Sequence, residues 1–381
     1  MDFSFTQDQD ELRNHARDLL ASVSPPDYAE KCDREKRPPR EAYDAVARQG
    51  WLGLIVPAEY GGAGGSAIDV AILLEEAGRA FEELAMWMFR TMTYGGYAVM
   101  AHGNDEQKKR FLPRVAKGEI SVCFGLTEPD SGSDAAALTT RATATGDGHF
   151  AINGQKVFTS GMDISDYCLL VTRTARKEKK QDGISTFLVD TKTPGIDIRK
   201  IETLGHHAIG TTQVFYNDAK VPAADLLGTL DDGWAVADAC LWYERLCLSA
   251  ARTGAASAAF ELALDYAKTR KQFGQTIGKF QAISHKLADM KVMLDVSRTL
   301  VYRFAWLMSE GKATRHDASV LKLYTSEAYK SVADMALQIF GGYGYTMEFP
   351  MQRFFRDSRL ATIGAGSSEI QRNIIARSLG L

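Results

Sequence analysis

The period of the hydrophobic residues changes twice along this chain of 381 residues. Leu12, Ala16 and Leu19 recur at helical spacing, whereas the segment after Ile120 alternates in short runs that turn signals separate. From Asp232 to the end, the helical period returns. The chain is also too long for one compact core. We therefore predict an α+β multidomain fold with an N-terminal helical domain, a middle β-barrel or sandwich domain and a C-terminal helical bundle, at residues 1–118, 119–230 and 231–381.

The local patterns give a first set of elements. Gly146-Asp147-Gly148 predicts a turn before a strand over Phe150–Phe158. Pro25-Pro26 is interpreted as punctuation between helices, and one helix is predicted over Glu83–His102. The predicted C-terminal helices cover Trp234–Lys268, Lys279–Ser309, His316–Phe340 and Ser368–Leu379.

Composition excludes several classes of protein. The net charge of −3 gives no electrostatic reason to expect nucleic acid as a partner. No apolar run is long enough for a membrane span, and the acidic start of the chain argues against a signal or transit peptide, so we expect a cytoplasmic protein. The five cysteines are widely spaced and predict buried thiols, and the adjacent pair His206-His207 is a poor metal site, so no metal is expected.

Five segments carry the chemistry, and together they resemble the acyl-CoA dehydrogenase family. They stand in the order and at the spacing of that family, and the resemblance spans the whole chain. One such motif would be weak evidence, whereas five in order are specific. The segments are Cys123–Asp134 (CFGLTEPDSGSD), Asn153–Ser160 (NGQKVFTS), Arg270–Gly274 (RKQFG) with Phe280-Gln281, Gln338–Tyr345 (QIFGGYGY), and Arg356-Asp357 with Ile363–Gln371.

The resemblance implies FAD as the cofactor and assigns its contacts. Leu126 and Thr127 would meet the pyrimidine edge and N5 of the flavin, Phe158 would lie against the ring, and Ser160 would donate near N5. Arg270 would bind the FAD pyrophosphate of a neighbouring subunit, in the bidentate manner that suits a guanidinium. The remaining implied cofactor residues are Phe124, Gly132, Ser133, Gln272, Phe273, Ile277, Phe280, Gln281, Gln338, Gly341, Gly342, Ser367 and Glu369.

Two of these residues also have plainer interpretations. Phe158 taken alone would be a core residue of the β domain, because aromatic side chains dominate cores. Gly341 would close a helix as a C-cap, which is compatible with the cofactor role. The Gly341–Gly344 pattern is not a dinucleotide fingerprint, since that motif follows a strand and here a long predicted helix precedes it.

The dehydrogenation that the resemblance implies needs a carboxylate to remove the Cα proton. This chain lacks a carboxylate at the position where the family most often carries it. Many family members place a Glu where this chain has Ala365, and a Tyr where it has Gly364. A subset, which includes isovaleryl-CoA and long-chain acyl-CoA dehydrogenases, carries the Glu on an earlier helix, and Trp242–Leu248 (WYERLCL) resembles that pattern. Glu244 is therefore predicted to be the catalytic base, and partial burial would raise its pKa toward the operating pH. The plain alternative is an exposed Glu in a local ion pair.

The acyl-CoA substrate is expected to contact both sides of this space. By resemblance, Arg245 contacts the CoA moiety, Ser133 helps hold the pantetheine arm, and the backbone N–H of Ala365 holds the thioester oxygen. Tyr243 and Gly364 complete the predicted substrate residues. Residues near Thr91–Met100 should line the acyl pocket and hint at a short or branched group.

These expectations describe an acyl-CoA dehydrogenase that forms a trans-2-enoyl-CoA. Electron-transferring flavoprotein is the implied acceptor, and a homotetramer is the implied assembly. Three alternatives stay open: an enoyl-CoA reductase, a flavin-dependent lyase or oxidase on an acyl-CoA-like substrate, and a catalytically silent homologue. The vacant position at Ala365 favours the silent homologue, and Glu244 argues against it.

Overall fold

The computed structural model describes residues 4–381 and has helical N- and C-terminal parts around a β-sheet domain. The predicted fold class is confirmed. Capping boxes begin several helices, with Thr6, Ser66, Asn104 and Thr314 as the N-caps. The N-terminal helices are α1 (Gln7–Val23), α2 (Pro26–Glu35), α3 (Arg40–Arg48), α4 (Ala67–Ala80), α5 (Glu82–Arg90), α6 (Ala98–His102) and α7 (Asp105–Ala116).

One feature of this domain agrees with the sequence interpretation and one differs from it. Pro25-Pro26 marks the boundary between α1 and α2 as predicted, and Pro26 is the first residue of α2, where a proline loses no hydrogen bond. The single helix predicted over Glu83–His102 is interrupted by a π-helical segment, Thr91–Tyr97, between α5 and α6. Such segments are rare and are often found at functional sites.

The middle domain is one eight-stranded sheet in the order β6-β7-β3-β2-β4-β5-β8, and β1 pairs in parallel with β4. Its own apolar core includes Ile152, Phe187 and Val214. The long pair β3 and β7 contains a bulge next to Phe158. The strands are β1 (Val122–Gly125), β2 (Arg141–Ala144), β3 (His149–Ser160), β4 (Tyr167–Arg173), β5 (Ile184–Asp190), β6 (Ile196–Ile201), β7 (Thr211–Pro222) and β8 (Leu226–Leu227).

Helix α8 (Gly233–Thr269) runs through the C-terminal part and packs against both helical domains. A side chain on Gly78 of α4 would meet the Ala251 carbonyl at 2.0 Å, so only glycine permits this crossing. The two helical domains therefore share one apolar core. The remaining elements are the hairpin β9 (Lys271–Gln272) and β10 (Gln275–Thr276), then α9 (Gln281–Ser309), α10 (Arg315–Phe340), α11 (Met351–Ala361) and α12 (Ser368–Ser378).

Strand β1 begins at Val122 and α8 begins at Gly233. We keep the division of the chain at 118/119 and 230/231 as a proposal. Within residues 4–381, no helix is both long and apolar enough to cross a membrane.

Candidate active site

Glu244 lies near the first third of α8 and is half-buried. Its carboxylate has no ion pair within 4 Å among residues 4–381, and the buried Tyr94 hydroxyl favours its ionised form. Burial raises the pKa of the Glu244 carboxyl, while the hydrogen bond from Tyr94 and nearby cations oppose that change. The exposed, ion-paired alternative is therefore not what the structure has.

The π-helical segment explains how Tyr94 reaches this carboxylate. Residues 91–97 pack against α8, and their wider helical turn changes which side chains face it. The Tyr94 ring also stacks on Phe124 of β1, with centroids 4.7 Å apart. One tyrosine therefore connects the predicted base to the first of the predicted flavin segments.

Arg245 points away from its neighbour Glu244. The Arg245 side chain is buried, its Nε has no hydrogen-bond partner, and no ion pair within 4 Å joins it to Glu244 in the part of the chain that the structure describes. A Cβ built on Gly366 would lie 3.8 Å from Arg245 Nη2. The guanidinium therefore reaches the loop that carries Ala365.

That loop, Gly364–Ser367, holds an unusual backbone. Ala365 has φ of +56°, a left-handed conformation that costs a residue with a side chain roughly 1–3 kcal/mol. Gln371 Nε2 donates to the carbonyls of Ala365 and Gly366 at 3.2 and 3.0 Å. The N–H of Ala365 has no protein acceptor within residues 4–381, so this donor is available to a ligand.

A second segment of the site follows β1. Lys156 Nζ donates to the Leu126 carbonyl at 2.9 Å, and Val157 N–H donates to the Thr127 carbonyl at 2.9 Å. Lys156 also pairs with Glu128 at 2.8 Å, and both side chains are almost fully buried. This pair, in which Glu128 also accepts from Thr139 and Thr140, fixes the backbone that is expected to face the flavin edge.

Phe158 is 65% exposed and has φ of +57°. The alternative that places it in the core of the β domain is therefore wrong, since the bulge turns its ring outward. The Ser160 carbonyl accepts a hydrogen bond from the buried Arg90. A flat, solvent-facing aromatic ring beside fixed polar backbone is the type of surface on which a flavin ring can stack.

Ser133 and Gly132 lie on an exposed loop beside a basic cavity of about 530 Å³. Lys180 pairs with Asp134 at 2.5 Å and so ties this loop to the β4–β5 connection. The cations that line the cavity are Arg141, Arg173, Arg176, Lys177 and Lys180. Together they concentrate positive charge on one side of a protein loop, although the net charge of the protein is −3.

The remaining predicted cofactor residues lie elsewhere. We use the name hairpin edge for residues 270–281 together with 338–342. Arg270 follows α8, and its guanidinium lies over the Tyr343 ring at 5.7 Å, which brings the two segments together. Phe273 is 92% exposed, and a Cβ on Gly341 or Gly342 would meet nothing within 4 Å. The hairpin edge is open to solvent in this chain.

The hairpin edge is far from Glu244. Arg270 lies 26 residues further along α8, so at 1.5 Å per residue about 39 Å separates the two positions along the helix axis. We use the name inner site for the group near Glu244, which comprises Glu244, Arg245, Ala365, Phe124, Leu126 and Thr127. The structure thus brings the inner site together and leaves the hairpin edge apart from it. Tyr243 stacks on Tyr97 beside the inner site, and Ser367 is the N-cap of α12 with Glu369 exposed in its first turn.

Comparisons with known proteins agree with this geometry. Three family profiles match in sequence, described as the N-terminal, middle and C-terminal domains of acyl-CoA dehydrogenase, over residues 6–119, 123–219 and 231–380. The chain belongs to the acyl-CoA dehydrogenase family of flavin-dependent oxidoreductases.

Individual relatives cover the whole length. A "probable acyl-CoA dehydrogenase YngJ" of Bacillus subtilis is 37% identical over 100% of both chains. The "caffeyl-CoA reductase-Etf complex subunit CarC" of Acetobacterium woodii is 33% identical over 98% of this chain and 99% of its own. The structure of butyryl-CoA dehydrogenase from Megasphaera elsdenii superimposes with a TM-score of 0.95, at 33% identity and 100% coverage of both chains.

The cofactor of this protein is FAD, and solved structures that the chain resembles include an FAD complex. The exposed ring of Phe158, the fixed backbone at Leu126 and Thr127, and the open glycines at 341 and 342 are compatible with such a ligand. Within residues 4–381, no cluster of three or more metal-ligating side chains occurs.

Sequence reasoning missed three side chains of the site. Tyr94 holds the Glu244 carboxylate, and the glycine pair 95–96 inside a helical pattern was the available signal. Lys322 is fully buried on α10, inside the otherwise apolar run 320–323. Lys156 lies within the segment Asn153–Ser160, in which the resemblance assigns cofactor contacts to Phe158 and Ser160 only.

Proposed function

We propose that this protein catalyses the FAD-dependent α,β-dehydrogenation of an acyl-CoA thioester to the trans-2-enoyl-CoA, with Glu244 as the base that removes the Cα proton. The observation that carries the proposal is a half-buried carboxylate free of ion pairs, opposite a loop whose Ala365 offers no carboxylate. Bound FAD supplies the acceptor for the hydride that leaves Cβ.

The protein groups around Glu244 suit this role. A base that works near neutral pH needs a pKa above that of an exposed carboxyl, and burial acts in that direction here. The Tyr94 hydroxyl favours the ionised form of the carboxylate, which is the form that accepts a proton. The free N–H of Ala365 can donate to the thioester oxygen, which stabilises the charge that develops as the Cα proton leaves.

The basic cavity supports a CoA thioester as substrate. Arg176 lines the cavity, is exposed and carries no ion pair among the described residues, so its charge is available to phosphate groups. Ala136 and Leu138 beside the cavity pack with Ala237 of α8, about 10 Å from Glu244 along the helix. We infer that the pantetheine arm runs from the basic cavity past Ser133 to Glu244.

The acyl pocket is narrow on the side of the π-helical segment. Tyr97 and Tyr243 stack with centroids 4.6 Å apart, and Tyr94 stacks on Phe124. Two stacked pairs of large rings at the π-helical segment favour a short or branched acyl group over a long chain.

The reverse direction is the second candidate. A relative is described as a caffeyl-CoA reductase in a complex with Etf, and the geometry of a base opposite a flavin serves both directions. Electron supply decides between them. A yellow protein whose flavin bleaches with butyryl-CoA or isobutyryl-CoA is a dehydrogenase, and a yellow protein that responds only to enoyl-CoA with an electron donor is a reductase. A colourless protein would support the silent homologue.

We also propose that electron-transferring flavoprotein is the electron partner and that the chain assembles at least as a dimer, as in the implied homotetramer. The reason for the assembly is the separation of about 39 Å between Glu244 and Arg270, which exceeds the length of an extended FAD molecule. Arg270 would then serve the cofactor of a neighbouring subunit.

The substitution Glu244→Gln tests the proposed base. It keeps size and removes charge, so FAD should stay bound while the single-turnover rate of flavin bleaching falls by about 10² to 10⁴-fold. Asp265→Asn, on the same helix with an exposed side chain, is the matched control and should leave the rate unchanged. A Glu244→Gln protein that bleaches at the wild-type rate would remove Glu244 from the mechanism.

A further inference from the structure

Lys322 occupies a position that ordinary packing does not explain. It lies on α10 with no exposed surface, and its Nζ donates to the Gly366 carbonyl at 2.7 Å. No carboxylate lies within 4 Å of it among residues 4–381. Burial, together with the charges of Arg252 and Arg245, lowers the pKa of Lys322 to about 7. A buried amine without an ion-pair partner is costly, so a role beyond packing is indicated.

The acceptor of this hydrogen bond is the second clue. Gly366 directly follows Ala365, whose left-handed backbone presents the free N–H. Gln371 of α12 is also fully buried, and its Nε2 donates to the carbonyls of both Ala365 and Gly366. Lys322 and Gln371 therefore clamp one loop from two helices, and the clamp fixes the direction of the Ala365 N–H.

The third clue is the charge around Glu244. Lys322 and Glu244 interact electrostatically across the gap between α10 and α8, and Lys322 favours the ionised carboxylate. Glu369 on α12 is the other acid that acts on Lys322. The remaining groups that face Glu244 are Tyr94 from the π-helical segment and Arg245, Arg252, Cys240 and Cys247 from α8 itself.

We propose that Lys322 is a positioning residue for the dehydrogenation: it clamps the Ala365 loop through the Gly366 carbonyl and supplies a positive charge that keeps Glu244 ionised. This inference rests on the proposed function, in which Glu244 is the base. Gln371 shares the clamp but carries no charge, so the two contributions can be separated.

The test compares Lys322→Met with Gln371→Met in the FAD-loaded protein, with isobutyryl-CoA and butyryl-CoA as probes. Single-turnover flavin bleaching is measured from acid to alkaline pH. Loss of a nearby positive charge raises the pKa of a carboxyl, so Lys322→Met should move the acid midpoint to higher pH by about 1 unit. Both variants should lower the plateau rate by about 10-fold or more, since a misplaced donor is costly. Gln371→Met should not move the midpoint.

Two further variants complete the design. Lys322→Arg keeps the charge and should keep the midpoint of the wild type. Lys330→Met changes an exposed lysine of the same helix and should alter neither the midpoint nor the plateau. If Lys322→Met does not fold, Lys322→Gln replaces it, since it also removes the charge. Hydrogen exchange at residues 363–368 in the substrate-free protein should accelerate in both clamp variants.

The possible results distinguish a failure of the proposed role of Lys322 from a failure of the proposed role of Glu244 as the base. If Lys322→Met and Lys322→Gln keep the wild-type acid midpoint of flavin bleaching while Glu244→Gln is inactive, the role of Lys322 is wrong and the role of Glu244 stands. A lowered plateau without a shifted midpoint also overturns the role of Lys322, because a merely structural lysine would behave in that way. Wild-type bleaching by Glu244→Gln overturns both proposals together.

Discussion

The inner site and the hairpin edge lie toward opposite ends of the same helix, α8, yet they are built differently. In the inner site, the groups that hold the reacting residues are buried, as in the pair Lys156–Glu128 and in Lys322. In the hairpin edge, Arg270 and Phe273 face solvent, and a Cβ added to Gly341 would meet nothing within 4 Å.

The contrast indicates which part of the cofactor pocket one chain can complete alone. Buried polar groups that find partners rigidify a site and specify one arrangement. Exposed aromatic and cationic groups that find no partner within the chain suit contact with another molecule. We therefore interpret the inner site as self-sufficient and the hairpin edge as a contribution to a neighbouring subunit.

The largest expected effect comes from moving the base across the inner site. Glu244→Ala should lower the rate of flavin bleaching by about 10² to 10⁴-fold. Adding Ala365→Glu should restore part of that rate, because a carboxylate would enter from the opposite wall. Position 365 already carries a side chain in the left-handed conformation, so Glu adds little backbone strain there. Single-turnover bleaching with isobutyryl-CoA measures both steps.

The control for this exchange is Glu244→Ala with Ile363→Glu. Position 363 is on the same loop but is exposed, so a carboxylate there should restore nothing. If the Ala365→Glu protein is no faster than Glu244→Ala alone, the two walls do not face the same Cα proton.

The second effect concerns the support of the inner site. Lys156→Met leaves Glu128 buried and unpaired and should reduce the free energy of unfolding by about 3–5 kcal/mol. The exposed pair of Lys180 and Asp134 is the control, and Lys180→Met should cost less than about 1 kcal/mol. Urea denaturation of both variants measures the difference, and equal losses would contradict a special role for the buried pair.

The same pair predicts a pH dependence. Burial alone would raise the pKa of Glu128, but Lys156 and the Thr139 and Thr140 hydrogen bonds outweigh it and lower the pKa to about 2. A carboxyl with a depressed pKa stabilises the fold above its unfolded pKa near 4.5, and this contribution is lost as the pH falls toward 2. The stability deficit of Lys156→Met should therefore shrink in acid, because the wild type loses this stabilisation there.

The sequence predicted most of the fold because long stretches without proline mark the long C-terminal helices. Helix α8 was expected over Trp234–Lys268 and spans Gly233–Thr269. Helix α11 was not anticipated, because it has only 11 residues and directly follows the glycine- and proline-containing stretch 341–350. The π-helical segment was also missed, since propensity does not distinguish it from an ordinary helix.

Some residues of the candidate site could be predicted from the sequence and others could not. Glu244 and Arg270 could be predicted because they lie in segments that resemble the family. Tyr94 and Lys322 act through contacts between elements that are distant in sequence, and no local pattern records such contacts. Their roles follow only once the helices are packed.

The smallest of these effects belongs to the hairpin edge. Arg270→Ala should weaken FAD binding by about 2 kcal/mol, or roughly 30-fold, the scale for losing one partner of a charge-assisted hydrogen bond. The fold should be unaffected, because in this chain the guanidinium contacts only the Tyr343 ring among the contacts described. Equilibrium dialysis of FAD measures the loss, and Lys271→Ala, the exposed neighbour, should retain FAD normally.

Mixed assemblies then decide which subunit Arg270 serves. When Arg270→Ala and Glu244→Gln chains are co-expressed, a shared pocket can combine Glu244 of one chain with Arg270 of the other. Bleaching activity at limiting FAD should then exceed that of either variant alone. If Arg270 acted on the cofactor of its own chain, every mixed pocket would lack one of the two groups and no activity would return. That result would also contradict the proposed difference between the inner site and the hairpin edge, because the hairpin edge would then contribute nothing to a neighbour's pocket.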